Sequence, residues 1–160
     1  MKKIYIIGPV GSGKTTLANK LSKKFNIKMY ELDKIVWDDA HGNIKRNDSH
    51  INIFFNKILK RKSWIIEDVG RKKFINGVKN ADIVYYIDLK PIIIYKRCIF
   101  RWIKQSIGLE GYNYKPTLKG LFQMLKWANK DIKTKIEKIN YIKDNSKEYK
   151  IINFNDIKKL

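Results

Sequence analysis

The 160-residue sequence has a single cysteine, Cys98, so a scaffold built on intrachain disulfides is excluded. A lone thiol suits a reducing compartment, and a cytoplasmic location is the expectation. Proline is scarce, with three residues, and no Pro/Gly/Ser-rich linker divides the chain. One domain over residues 1–160 is therefore expected. Long apolar runs are missing too. The longest, Ile83 to Ile87, falls far short of the roughly 18 residues a membrane helix needs. The start, MKKIYII, imitates a signal peptide, but its apolar stretch is only Ile4 to Ile7, below the roughly 7 residues such a segment carries. No internal repeat or low-complexity tract is present. Acidic residues are few: 15, against 35 Lys and Arg, for a net charge of +20.

That charge admits two explanations. Phosphate neutralisation drives non-specific nucleic-acid binding, and a strongly basic chain suits it. Against this, the 27 Ile, 30 Lys and 14 Asn are the residues that A/T-rich codons favour. The lysines are also scattered, with basic triplets only at 60–62 and 71–73, whereas nucleic-acid arms are dense blocks. A solvated lysine surface is favoured over a dedicated DNA surface. Arginine is the scarcer and more informative cation, found at Arg46, Arg61, Arg71, Arg97 and Arg101. Its planar fork grips phosphate in a way that lysine cannot.

Apolar periodicity predicts alternating strands and helices. Strands are expected at Lys2–Ile7, Ile27–Leu32, Ser63–Glu67, Asp82–Leu89 and Lys150–Phe154. Helices are expected at Lys14–Phe25, from Asp48 or Ser49 to about Lys62, at about Lys72–Asn80, Pro91–Ile107, Leu118–Asn129 and Asp131–Asp144. The second of these would bury Ile51, Phe54, Phe55, Ile58 and Leu59, and Asp48 or Ser49 would cap it. Asn43–Ser49 reads as loop. Gly108–Thr117, with two Gly, one Pro and two Tyr, reads as a mobile loop. Five Ile/Val/Tyr-rich strands with helical crossovers imply an α/β layer fold around a parallel sheet.

Gly8-Pro9-Val10-Gly11-Ser12-Gly13-Lys14-Thr15 fits G-x-x-x-x-G-K-[ST] without a gap, after an expected strand and before an expected helix. The pattern has a physical logic. Gly8, Gly11 and Gly13 permit backbone angles that a Cβ would forbid, so that successive N–H groups, Ser12 included, converge on phosphate oxygens. The helix N-terminus adds its dipole. Lys14 supplies a point charge to the β- and γ-phosphates, the Thr15 hydroxyl can join a Mg²⁺, and Thr16 is placed for the α-phosphate. ATP and magnesium are the implied ligands.

GPVGSGKTTLANKLSKKF, YELDKIVW, WIIEDVGR, ADIVYYIDL and RCIFR together resemble the adenylate-kinase-like small P-loop kinases. Within these, the chain is similar to the group called DNA topology modulation proteins or adenylate-kinase-related kinases. The resemblance covers most of Met1–Trp102 and fades beyond it. It implies a three-layer P-loop NTPase fold with a five-stranded parallel sheet in the order 2-3-1-4-5 and a short helical lid at about 104–118. It also implies transfer of the γ-phosphate of ATP to a small acceptor, such as a nucleoside monophosphate.

Several further roles come with the resemblance. The third strand of such kinases ends in an acid, then Gly, two residues and Arg. Over WIIEDVGR this puts a magnesium-side acid at Glu67, with Asp68 as the alternative, and an acceptor-binding arginine at Arg71. The departure is Asp68 where Gly is usual and Gly70 where Pro often stands. Asp33 falls where related kinases face the acceptor and metal, and could orient or deprotonate an acceptor hydroxyl; a helix N-cap is the competing role. Trp37, four residues on, could stack on an acceptor base or sit half in the core. Arg97, Arg101 and Lys104 share one face of their helix, opposite an expected apolar stripe of Tyr95, Ile99, Trp102 and Ile103. Related kinases place lid arginines there to stabilise the transferring phosphoryl group; a solvated basic face is the plainer alternative.

Other positions read as structural. Cys98 reads as core, Asp88 as a strand-end or helix-cap residue, Arg46 and Arg61 as surface, and FQMLKWANK (122–130) as core packing. A cysteine zinc lid is excluded. His41 and His50 lie in or near polar loop, and no Ser/His/Asp or paired-histidine arrangement supports other chemistry. Two functions therefore stand: a Mg-ATP phosphotransferase, and an ATP-binding, DNA-associated regulator with little or no transfer activity. The sequence fixes neither acceptor nor oligomeric state.

Overall fold

Strand β1 (Lys3–Ile7) is buried on both faces because it is the middle strand of a five-stranded parallel sheet. A computed structural model describes residues 2–38, 44–111, 116–153 and 155–156. The elements follow in order. They are α1 (Lys14–Phe25), β2 (Met29–Glu31), α2 (Leu32–Val36), β3 (Trp37–Asp38), β4 (Ile44–Lys45), α3 (Asp48–Leu59) and β5 (Trp64–Asp68). After a 3₁₀ turn (Lys72–Phe74) come α4 (Ile75–Asn80), β6 (Ile83–Ile87), α5 (Pro91–Ser106), α6 (Leu118–Lys133), α7 (Lys135–Asn145) and β7 (Tyr149–Ile152).

The sheet order is β2-β5-β1-β6-β7. With the small β3–β4 hairpin set aside, this is the expected 2-3-1-4-5 arrangement, and every pairing is parallel. The period-two alternation of strands divides the core into two layers. Tyr5, Ile7, Trp64 and Ile66 face α2, α3, α4 and α7, where they meet Val36, Phe55, Val78 and Ile142. Ile4, Ile6 and Ile65 face α1, α5 and α6, where they meet Leu17, Leu21, Ile94, Cys98 and Ala128. Helices on both faces make the three-layer α/β architecture. Among the described residues no helix is long and apolar enough to cross a membrane.

Several local expectations need correction. The strand expected to run to Leu32 stops at Glu31, and the chain turns at once into α2 and the β3–β4 hairpin. Ile44–Lys45, within the expected loop, is strand β4; strands of two residues carry no readable period. Helix α3 is capped by Asn47, whose side chain accepts the His50 N–H at 2.8 Å, and not by Asp48 or Ser49. It ends at Leu59, and Phe54 lies outside its buried stripe of Ile51, Phe55 and Ile58. On α5 the buried line is Ile94 and Cys98, while Ile99 and Ile103 are exposed. The break between the last two helices falls at Thr134. His41, Phe154 and part of the expected lid loop (112–115) lie outside the described residues.

Candidate active site

The phosphate loop runs from the C-terminal end of β1 into α1, and its shape depends on glycine for two different reasons. Gly11 and Gly13 take φ of +76° and +95°, which L side chains resist. Gly8 does not share that backbone and is needed for space, since a Cβ there would come within 2.8 Å of Ser12 Oγ. Gly11 also lies against α5, where a Cβ would meet Cys98 Sγ at 2.9 Å. Cys98 is fully buried, and burial raises its pKa, so it packs and does not present a thiolate.

Around this loop opens a cleft of about 1260 Å³. Its lining brings together Gly11, Ser12, Gly13, Lys14, Thr15, Thr16, Asp33, Trp37, Glu67, Arg71, Arg97 and Arg101. Two of the expected site residues do not line it, Gly8 beneath the loop and Asp68 behind Arg71.

Alternation along β5 explains why the two adjacent acids differ. Glu67 falls on the α1 side, where the Thr15 hydroxyl donates to its Oε1 at 2.9 Å. Its Oε2 is buried without a hydrogen-bond partner. Burial raises the Glu67 pKa, against the pull of Lys14 and the Thr15 hydrogen bond. Asp68 falls on the opposite face with no exposed side-chain surface. It accepts the Gly70 N–H at 2.9 Å, the Arg71 N–H at 2.6 Å and a hydrogen bond from Arg71 Nη1. Arg71 Nη2 reaches on to Asp33 Oδ1. The guanidinium is thus fixed by a buried carboxylate and aimed at an exposed one, and the two carboxylates raise its pKa against burial. Asp33 is not a cap, because the N-cap position of α2 is Glu31.

Lys14 folds back so that Nζ donates to the Pro9 carbonyl at 3.0 Å. Burial lowers its pKa, opposed chiefly by Glu67 and then by Asp33. From α5, Arg97 Nη1 donates to the Ser12 carbonyl at 2.9 Å, so this arginine lies on the phosphate loop. Arg101, one turn on, pairs with Glu110 at 3.5 Å and is half exposed. Trp37 lines the cleft, as Asp33 does, and packs partly on the α2-side core.

Sequence reasoning missed three residues here. Arg46, read as surface, donates to the carbonyls of Lys34 at 2.7 Å and Trp37 at 2.6 Å, and pairs with Asp38 at 3.1 Å. It ties down the C-terminal end of α2, the five-residue helix whose first turn carries Asp33, and arginine's scarcity is the sequence signal for it. Asp131 and Lys138, from α6 and α7, also enter the cleft. Within FQMLKWANK only Met124 and Ala128 are buried, and Trp127 is exposed in the cleft wall.

No family model matches the chain. An adenylate kinase of Buchnera aphidicola subsp. Cinara cedri (strain Cc) is 30% identical over 172 aligned positions, which span 93% of this chain and 76% of the relative. This chain belongs to the adenylate-kinase-like small P-loop kinases. Solved structures share the fold of this P-loop kinase. A shikimate kinase from Bacteroides thetaiotaomicron superposes with a TM-score of 0.61 at 13% identity, over 98% of this chain and 92% of its own. One from Acinetobacter baumannii, in complex with shikimate, gives 0.61 at 15% identity, over 99% and 90%. The relative that shows the family is an adenylate kinase, so this chain is a P-loop phosphotransferase by family. The names of the relative and the structural neighbours differ in the acceptor.

Proposed function

We propose that this kinase transfers the γ-phosphoryl group of Mg-ATP to a nucleoside monophosphate or another small acceptor bearing an anionic group. One observation carries the reading. The phosphate loop, with Thr15 bonded to Glu67, faces an Asp33–Arg71 ion pair across a single cleft. The first half suits a nucleoside triphosphate, and the second suits an acceptor with an anion beside its reacting oxygen.

The residues fit magnesium. Glu67 Oε2 is a buried acceptor without a partner, and the Thr15 hydroxyl is its neighbour. Magnesium keeps several waters and takes only one or two carboxylates, with substrate phosphates completing its shell. Accordingly, among the described residues no group of three His, Cys, Asp or Glu gathers to hold a metal unaided. Thr15 and Glu67 would hold the ion, which when bound neutralises phosphate oxygens and polarises the γ-phosphoryl group.

The chain's own groups then divide the work. Amides of the Gly11–Thr15 stretch cradle phosphate oxygens. Lys14 leaves the Pro9 carbonyl for the β- and γ-phosphates, and their charge favours its ammonium form. Arg97, already on the loop, and Arg101, free to exchange Glu110 for substrate, stabilise the charge spread over the moving phosphoryl group. Arg71 exchanges Asp33 for the acceptor's anion while Asp68 keeps its plane fixed. That frees Asp33 to orient the attacking oxygen. The acceptor oxygen bonds to the γ-phosphorus, the bond to the ADP oxygen breaks, and where the acceptor is a hydroxyl its proton passes to Asp33. Trp37 offers a flat face to an acceptor ring, and the buried Cys98 thiol suits a reducing cytoplasm.

The test is to incubate the protein with Mg-ATP and a panel of nucleoside monophosphates and small hydroxy acids, following ADP. At least one acceptor should raise ADP formation well above that with ATP alone. If the protein binds ATP but no acceptor raises the rate, the reading fails.

A further inference from the structure

The phosphate loop touches one charged pair that the mechanism above does not use. Asp131 on α6 accepts the Val10 N–H at 3.2 Å and a hydrogen bond from Lys138 Nζ at 2.6 Å. Lys138, on α7, also donates to the Val69 carbonyl at 2.7 Å. The Lys138 and Asp131 side chains are only 17% and 13% exposed, yet both line the cleft. Gly70 packs against the lysine: it takes φ +90°, and a Cβ there would press on Ile7 Cγ2 at 3.0 Å and touch Lys138 Cδ at 3.4 Å.

Two features make this pair more than a strap between helices. A carboxylate sits on a phosphate-loop amide, in the role that a phosphate oxygen plays at such loops. It does so at the Pro9–Val10 end of the loop, where Lys14 also rests on the Pro9 carbonyl. Lys14 serves the β- and γ-phosphates, so this is the terminal-phosphate end. A triphosphate arriving there would bring negative charge up to Asp131. Like charges repel, and Lys138, hydrogen-bonded to Asp131 and lining the same cleft, is a cation placed to offset the conflict.

We propose that Lys138 is a second phosphate-binding cation of this cleft. In the ligand-free protein Asp131 holds it, and the Asp131 carboxylate occupies the Val10 N–H until a terminal phosphate takes its place. The proposal rests on the phosphotransferase reading and concerns non-covalent binding alone. Lysine suits the exchange, because its compact ammonium has three donors on a flexible stem. It can keep the Val69 carbonyl while turning one donor from Asp131 to phosphate.

The experiment is calorimetric titration of the full chain with the magnesium complexes of ADP and of a β,γ-imido triphosphate. Lys138→Met should weaken triphosphate binding about tenfold, the loss of one charge-assisted hydrogen bond, while ADP affinity changes less than about twofold. Lys138→Arg should restore most of the difference. Asp131→Asn removes the competing carboxylate and should tighten triphosphate binding by about twofold or more. Triphosphate binding unchanged by Lys138→Met, or both nucleotides weakened alike, overturns the proposal. So does Asp131→Asn with unchanged or weaker triphosphate binding, and this variant decides alone if Lys138→Met does not fold. Wild-type protein that binds neither nucleotide overturns the phosphotransferase reading itself, before any variant is compared.

Discussion

Glu67 and Asp68 are neighbours in sequence and carry the same charge, yet their amides should have opposite effects on stability. In Asp68→Asn the buried carboxylate loses its charge while three donors remain around it: the Gly70 N–H, the Arg71 N–H and Arg71 Nη1. An asparagine oxygen can serve some of these, but its NH₂ must face the rest. Breaking a buried pair costs about 3–5 kcal/mol, and partial exposure of Arg71 argues for the lower end. At roughly 2–4 °C per kcal/mol for a chain of this size, about 3 kcal/mol lowers the Tm by about 6–12 °C. In Glu67→Gln the substituted oxygen keeps the Thr15 hydrogen bond, and the buried charge is removed.

The pH dependence has a definite sign. Burial raises the Glu67 pKa, so the unfolded state releases that proton at lower pH than the folded state does. The contribution of Glu67 to wild-type stability is therefore lost as pH rises from the ordinary carboxylate range through the folded pKa, and Glu67→Gln lacks that contribution. The variant's Tm should gain on wild type between acid and neutral pH, while its magnesium-dependent ATP binding falls. Thermal unfolding from about pH 4 to 8, with magnesium-dependent ATP titration, checks both variants. If both destabilise alike, or if Asp68→Asn shifts the Tm by less than about 2 °C, the assignment of opposite faces and opposite environments is refuted.

Three other expectations are separable. Arg46→Ala frees the carbonyls at the end of α2, and should raise the KM for acceptor several-fold while leaving the Kd for ATP nearly unchanged; steady-state kinetics beside ATP titration checks it. Gly11→Ala places a Cβ 2.9 Å from Cys98 Sγ at φ +76°, and should lower the Tm by roughly 4–8 °C, about 2 kcal/mol. Adding Cys98→Ala should recover only part, because the backbone strain stays. Binding to duplex DNA, if it reflects the +20 charge alone, should be sequence-independent and lost by physiological salt in a salt titration.

The alternation of strands and helices could be read from apolar periodicity, while the order of the sheet came from the family resemblance. Lys14–Phe25 is the same helix in sequence and structure, and the five strands of the sheet lie in the implied order. The phosphate loop is legible for a related reason, since its chemistry is local and contiguous. What resisted reading is non-local or too short to have a period. Helix α2 has five residues, and β3 and β4 have two each, so no periodicity marks them. Arg46 meets its carbonyls across a hairpin, and Asp131 meets Val10 across 121 positions of sequence. The difference between Glu67 and Asp68 was available in principle. Trp64, Ile66 and Asp68 share one face of β5, and Ile65 and Glu67 the other, but only the location of α1 says which face meets phosphate.

Phosphoryl transfer from ATP with the help of Lys14 is decided by ³¹P NMR of Mg-ATP with an acceptor, comparing wild-type protein and Lys14→Met. In the wild type the γ-phosphate signal should be replaced by those of ADP and a phosphorylated acceptor, and with the folded variant it should persist. Inorganic phosphate as the only new product, or transfer that survives Lys14→Met, would contradict this reading.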